Sequence, residues 1–210
     1  MCIRDSICLV ISYPLAYILS KGKHRGSGIV IMLFILPMWI NFLLRVLALQ
    51  VILSKTGILN AILGFFGLPL QKLMYTKGVV LVGMVYDYIP FMILPIYNAL
   101  CKIDKDVIEA AHDLGASARV TFQKIIIPLS LPGVISGIIM VFVPALTSFV
   151  ISDLLGGGKV LLIGNVIEQS FMQGSYWNLG SGLSIVLMLF VLISMAFMNR
   201  AGESGGHAVW

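Results

Sequence analysis

Asp87 is the one acidic residue well inside a long apolar run, Gly78 to Leu100, and it stands between Tyr86 and Tyr88. An unpaired carboxylate at bilayer depth costs at least roughly 2.5–3.5 kcal/mol, so such a group faces a cavity or a partner and marks a pathway. Between aromatic rings it could hold an ammonium group by charge and cation–π attraction. The competing account is that Asp87 pairs with a basic or polar group on a partner subunit. Trp39 and Asn41 follow Pro37, where a kinked helix would present them to a pore, although Trp39 equally fits a packing or interfacial aromatic. Arg45 either snorkels to the membrane face or pairs with a carboxylate. Asp153, Asn165 and Glu168 fall in a polar connection where acidic groups could draw in cations, and solvated loop residues explain them as well.

Enzymatic chemistry finds no support. The tract Gly156 to Lys159 invites a phosphate-binding loop, but Asp153 and Val160 occupy the places of the required Gly and Ser or Thr. His24, His112 and His207 are far apart with no HExxH pattern, and no GxSxG nucleophile is present. Cys2, Cys8 and Cys101 have none of the spacings that metal sites or disulfide frameworks need.

The elements that position these residues are apolar. Of 210 residues, 59% are hydrophobic and 11% charged, and mean hydropathy is +1.02; an ordinary soluble domain has about 45–50% and about 25%. The net charge of +5 comes from 14 basic residues spread over short gaps between apolar runs. A nucleic-acid binder would cluster them, so nucleic acid is not the partner. A crossing needs about 20 apolar residues. Five candidate spans result: Ile7 to Ser20, Gly28 to Leu49, Gly78 to Leu100, Pro128 to Ile151 and Leu179 to Asn199. The first is too short alone and MCIRDS does not extend it, so the start reads as clipped. Residues 1–6 and 200–210 read as short tails around a membrane domain, 7–199.

Lys21, Lys23 and Arg25 crowd into one brief connection, which places it inside. Alternation puts Ser54 to Lys77 and Ser152 to Asn178 outside, and Cys101 to Lys124 inside. The outer segments still hold Lys55, Lys72, Lys77 and Lys159. Their short apolar pieces, Ile58 to Phe66 and Val160 to Phe171, read as helices on the membrane surface. Pro37, Pro90, Pro95, Pro132 and Pro144 read as kinks, since neighbouring helices can satisfy the backbone groups they free.

The inner segment KIDKDVIEAAHDLGASARVTFQKIIIPLSLPG is the only long, charge-rich and periodic stretch. Asp104 or Asp106 can cap a helix start, and Asp106 with Glu109 has capping-box spacing. Val107, Ile108, Ala111 and Leu114 recur at helical spacing, leaving Glu109, His112 and Asp113 to the other faces. Gly115 stands where a helix ends in a left-handed residue. A second helix from Ser117 would turn Val120, Ile125 and Ile126 toward the membrane core. Small residues at Ala110, Ala111, Ala116 and Ala118 would let a partner's surface come close.

The run Glu109, Ala110, Ala111, three residues, Gly115, nine residues, Ile125, one residue, Ile127, Pro128 resembles the EAA signature of ABC-importer permeases. The one departure is Ile127 for Leu. The resemblance extends to permeases of spermidine/putrescine importers, carried by YPLAYILSK, LPMWINFLLRVLALQVILSKTGILN, GMVYDYIPFMILPIYNAL and VISDLLGGGKVLLIGNVIEQSF. Importers of other small solutes share this architecture, and an ion-coupled secondary transporter is the rival class, one that leaves the EAA run unexplained.

What the resemblance implies is an all-α multi-pass protein of the bacterial cell membrane with the type I ABC importer transmembrane fold. Such permeases have six spans, so five here would lack the first, its outer loop and the start of the second. Residues 101–127 would be the cytoplasmic loop docking onto ABC ATPase subunits. A second permease chain, sister or identical, would complete the pore, and an extracytoplasmic binding protein would deliver substrate. The chain would bind no cofactor of its own, ATP and Mg belonging to the ATPase. Substrate would pass near Asp87, Tyr86, Tyr88, Trp39, Asn41 and Asp153.

Overall fold

The computed structural model describes residues 2–22, 28–66, 69, 74–172 and 176–206. Lys23 and Arg25 of the inner connection, Lys72, His24 and His207 lie outside them. In chain order the helices are α1 (Cys2–Lys21), α2 (Gly28–Trp39), α3 (Phe42–Leu53), α4 (Ile58–Phe65), α5 (Lys77–Lys102) and α6 (Lys105–Asp113). There follow α7 (Ala118–Thr121), a wider π-helical turn (Phe122–Ile126), α8 (Ile127–Thr147), α9 (Val150–Gly156), α10 (Ile163–Met172) and α11 (Trp177–Gly206). Among the described residues none lies in a strand. Water-free surroundings require each segment to satisfy its own backbone, and helices do so.

Five stretches are long and apolar enough to cross a bilayer: Ile3–Lys21, Phe42–Phe65, Lys77–Lys102, Ala118–Thr147 and Trp177–Ala196. The first corrects the expectation of a short span, because helix α1 begins at Cys2 and takes in residues read as a tail. Arg4 and Asp5 are tolerated there because they pair with each other. The expected second span is not one helix. Pro37 withdraws a donor near the end of α2, the chain bends at Ile40, and Asn41 recaps the next helix, its Oδ1 accepting from Leu43 N at 2.8 Å.

The fourth span also shifts. The helix runs from Ala118 through a π turn in which Ile127 N donates to Phe122 O five residues back. That widened turn makes room for Pro128, which has no N–H and would crowd the carbonyl four residues before it. At the other end α8 stops at Thr147 rather than reaching Ile151, because Ser148 turns extended. The orphaned Pro144 carbonyl accepts from Thr147 Oγ1 at 3.0 Å and Tyr88 OH at 3.4 Å. Pro90, Pro95, Pro132 and Pro144 lie inside continuous helices, as expected.

Helix α5 is the axis of the bundle. Met92, Ile93, Ile96 and Tyr97 are fully buried on it, between α1 and α8. Two glycines bring the α8 backbone close. A Cβ at Gly133 would stand 2.3 Å from Ala99 Cβ and 2.8 Å from Pro95 O, and one at Gly137 would stand 2.9 Å from Met92 Sδ. Small residues at such contacts let packing drive association where lipid removes the hydrophobic force. With 26 residues at 1.5 Å rise, α5 is about 39 Å long. Its two ends therefore lie at opposite faces: α6 follows one, and Tyr75 precedes the other.

Candidate functional site

The segment 103–126 forms helix, tight turn, helix. Asp104 is the cap, its Oδ1 accepting from Asp106 N at 3.3 Å, while Asp106 and Glu109 ride the exposed helix. The end of α6 accounts for the spacing of the EAA run. Ala116 N donates to Ala111 O at 3.0 Å and Gly115 N to His112 O at 2.9 Å, with Gly115 at φ +81°. This is the paired-bond termination that needs a left-handed residue four positions after Ala111. Ser117 then caps α7, its Oγ accepting from Val120 N at 3.4 Å.

Burial corrects part of the sequence reading. Ala111 is buried and Ile108 half-buried, but Val107 is exposed and Leu114 is 89% exposed at the tip of the turn. A residue at the helix terminus leaves the face that periodicity assigns it. Of Val120, Ile125 and Ile126 only Ile126 is buried, because the π turn rotates the register; Ile127 and Pro128 are exposed. Glu109, Ala110, Leu114, Gly115 and Ala118 thus make an open surface. Leu114 is the residue that pattern reading missed, and its place directly before the terminating Gly115 was the available signal.

The unit is wired to the spans. The Phe122 ring meets Tyr17 edge-on at 5.0 Å and Tyr13 at 6.2 Å, and Tyr13 OH bonds Ser130 Oγ at 2.9 Å. Aromatic contacts thus tie the loop to α1, and the Tyr13–Ser130 hydrogen bond ties α1 to α8.

Asp87 does not lie between aromatic rings. Successive helical side chains diverge by about 100°, so Tyr86 points away, half exposed, while Asp87 and Tyr88 are buried. Asp87 Oδ1 lies 3.0 Å from Arg45 Nη2, within this chain rather than across to a partner subunit. The Tyr88 face is occupied by the Arg4 guanidinium, 5.7 Å from its centroid, and its hydroxyl by Pro144 O. The expected trio around a solute cation is therefore replaced by an internally neutralised layer linking α1, α3, α5 and α8. Trp39 is 82% exposed at the end of α2, and the Asn41 side chain caps α3.

The acidic corner is better formed. Asn165, fully buried, donates to Asp153 Oδ1 at 2.6 Å and to Phe149 O at 3.4 Å, and accepts from Leu162 N at 3.1 Å. Partial desolvation, then the charge of Asp153 and a hydrogen bond to it, push the Glu168 carboxyl up. Among the described residues Glu168 is the one acidic group on the wall of a cavity of about 570 Å³ between α8, α10 and α11, otherwise largely apolar and flanked by Phe149 and Phe171. Among the described residues no cluster could hold a metal ion.

An all-helical bundle with a protruding helix–turn–helix between its central spans is the architecture of an ABC-importer permease. Solved structures agree. The bacterial alginate ABC transporter in complex with alginate pentasaccharide-bound periplasmic protein superposes with TM-score 0.71 at 16% identity, over 95% of this chain and 74% of that one. A second structure of a bacterial importer of the acidic polysaccharide alginate gives 0.69 at 17%, over 97% and 76%. Residues 9–201 match the family described as binding-protein-dependent transport system inner membrane component, and the chain belongs to that family. It is similar to the spermidine/putrescine transport system permease protein PotB of Escherichia coli (strain K12), 42% identical over 93% of this chain and 72% of the relative. The PotB of Haemophilus influenzae is 40% identical over 96% and 71%. The chain is thus a multi-pass inner-membrane permease subunit of an ABC transporter. It works with an ATP-hydrolysing subunit and a substrate-binding protein.

Proposed function

We propose that this permease imports polyamines, with α6, the turn at Leu114–Gly115 and α7 docking into a groove of the ABC ATPase. The observation that carries the docking is the open tip: the Leu114 side chain is 89% exposed, yet its backbone is fixed by its own bond to Ala110 O and by the terminating bonds around Gly115. A preformed apolar knob loses little freedom on binding, which favours its use as an anchor. Glu109, Ala110 and Ala111 supply the helix beneath it, and Ile125, Ile127 and Pro128 continue into α8. Closure of two ATPases would draw two such loops together and swing the spans by rigid-body motion, the Phe122–Tyr17 contact acting as the link.

The polyamine assignment rests on the relatives named as spermidine/putrescine permeases. The charge layout supports it, since Glu168 with Asp153 offers negative charge beside an apolar cavity, and a polyamine presents ammonium groups on methylene chains. A second permease chain and an extracytoplasmic receptor complete the assembly, and ATP and Mg are held by the ATPase. Neutralisation of Asp87 by Arg45 removes the group that most favoured an ion-coupled carrier. Uptake of labelled spermidine, putrescine and an unrelated solute by cells carrying the whole operon tests the assignment. Competition between spermidine and putrescine alone is the expected result, and equal uptake of the unrelated solute contradicts it.

A further inference from the structure

Lysines on the outer side oppose the bias that retains positive charge in the cytoplasm. Lys55 and Lys159 are two of them, and the fold brings them to one cavity of about 460 Å³, with Gln50, Ser54, Met74 and Tyr75 as the other walls. Among the described residues no acidic group lines it and neither lysine pairs with a carboxylate. The cavity lies at the Tyr75 end of α5, opposite the end that carries the ATPase-docking unit.

Its wall is held in a strained form. Tyr75 is the one non-glycine residue with positive φ, +63°, among those described. Its N–H donates to Leu155 O at 3.0 Å, and its ring lies against Gly157, where a Cβ would come within 2.3 Å of Cδ1. Lys159 Nζ stands 6.0 Å above the same ring. Such strain persists only where packing over-determines it, and it gathers at functional surfaces. Two unpaired ammonium groups at the mouth of a cation importer repel the solute, so the cavity serves another ligand. A receptor that captures a polyammonium solute needs carboxylates to hold it, which gives its solute-binding region the sign opposite to this cavity.

We propose that the cavity lined by Lys55 and Lys159 is a docking point for the substrate receptor, taking carboxylates of an acidic receptor loop on its two ammonium groups. This rests on the importer reading above. The test uses the whole permease–ATPase complex in nanodiscs with the spermidine-loaded receptor. The readout is the receptor concentration that half-maximally stimulates ATP hydrolysis. In Lys55→Glu/Lys159→Glu that concentration rises roughly tenfold or more at low salt, with the maximal rate kept, and its dependence on KCl becomes shallower than in the unmodified complex. Lys55→Gln/Lys159→Gln gives a smaller shift in the same direction and serves if the reversed pair does not assemble. Half-saturation unchanged in both variants overturns the proposal. A shift seen only in phosphatidylglycerol discs and absent in phosphatidylcholine discs also overturns it, and assigns the cavity to an anionic headgroup. If the loaded receptor fails to stimulate the unmodified complex at all, the importer reading itself falls and takes this site with it.

Discussion

Arg45 Nη2 lies 3.0 Å from Asp87 Oδ1, with the two side chains 9% and 4% exposed, so α3 and α5 are joined by a buried ion pair at membrane depth. Removing one partner leaves the other charged and unpaired, at a cost of about 3–5 kcal/mol. Asp87→Asn and Arg45→Met should each lower the level of assembled complex and its thermal stability. Arg45→Met/Asp87→Leu should recover most of the loss. A single variant that assembles normally but transports poorly would instead return Asp87 to the solute pathway.

Gly115 has φ +81° and nothing within 4 Å of where a Cβ would stand, so substitutions there change backbone preference without steric clash. Gly115→Asn, which tolerates the left-handed region, should keep most ATP-coupled transport. Gly115→Val should cost more than about 1–2 kcal/mol in the docking turn and uncouple receptor-stimulated hydrolysis from uptake, with the chain still in the membrane. The ratio of solute moved to ATP hydrolysed checks it; equal ratios for Val and Asn contradict it.

Gly133 faces the opposite demand, because there the neighbours are backbone and Cβ atoms 2.3–2.8 Å from a new methyl. Gly133→Ala should force α8 off α5 and destabilise by about 1–3 kcal/mol, read as a lower unfolding temperature in detergent. Gly182→Ala, with nothing within 4 Å, is the control and should leave it unchanged.

Much of this layout is legible in the sequence. The backbone course of the helix–turn–helix was legible in Asp104, Gly115 and Ser117, because caps and left-handed turns are local chemistry with local signals. The short helices α4 and α10 were legible as separate helices from their apolar pieces, although α4 belongs to Phe42–Phe65, a stretch long enough to cross rather than to lie on the surface. What escaped depended on contacts between distant segments. Arg45 and Asp87 are 42 positions apart in the chain, by the difference of their numbers, and nothing in either neighbourhood names the other. Leu114 and Val107 look like core residues by period, but a nine-residue helix that ends in a sharp turn puts only Ala111 and part of Ile108 against the bundle. The break at Ile40 was half visible: Pro37 was read as a kink, whereas the capping power of Asn41 made it a new start.

Glu168 supplies a pH prediction. Its carboxyl is pushed above the ordinary 4.5 by desolvation and by Asp153 beside it. A carboxyl with a raised folded-state value favours the fold when protonated, so this contribution is present below pH 4.5 and fades as pH rises through the raised value. Cation attraction has the reverse sign, since only the ionised form draws an ammonium. Solute affinity should therefore fall as pH drops through the raised value, and Glu168→Gln should flatten that step and raise the uptake KM. An unchanged profile in Glu168→Gln would remove this carboxylate from the pathway.

Purified complex in proteoliposomes gives the most direct reading of the central claim that this chain moves polyamine only when its loop is driven by an ATPase. Spermidine accumulation is followed with ATP and loaded receptor, with the ATPase subunits present, absent, or combined with a Leu114→Asp permease. Accumulation that requires ATP, receptor and ATPase together, and that falls about tenfold or more when the Leu114 anchor is replaced by a charge, is the predicted result. Accumulation that proceeds on an ion gradient without the ATPase would contradict the account.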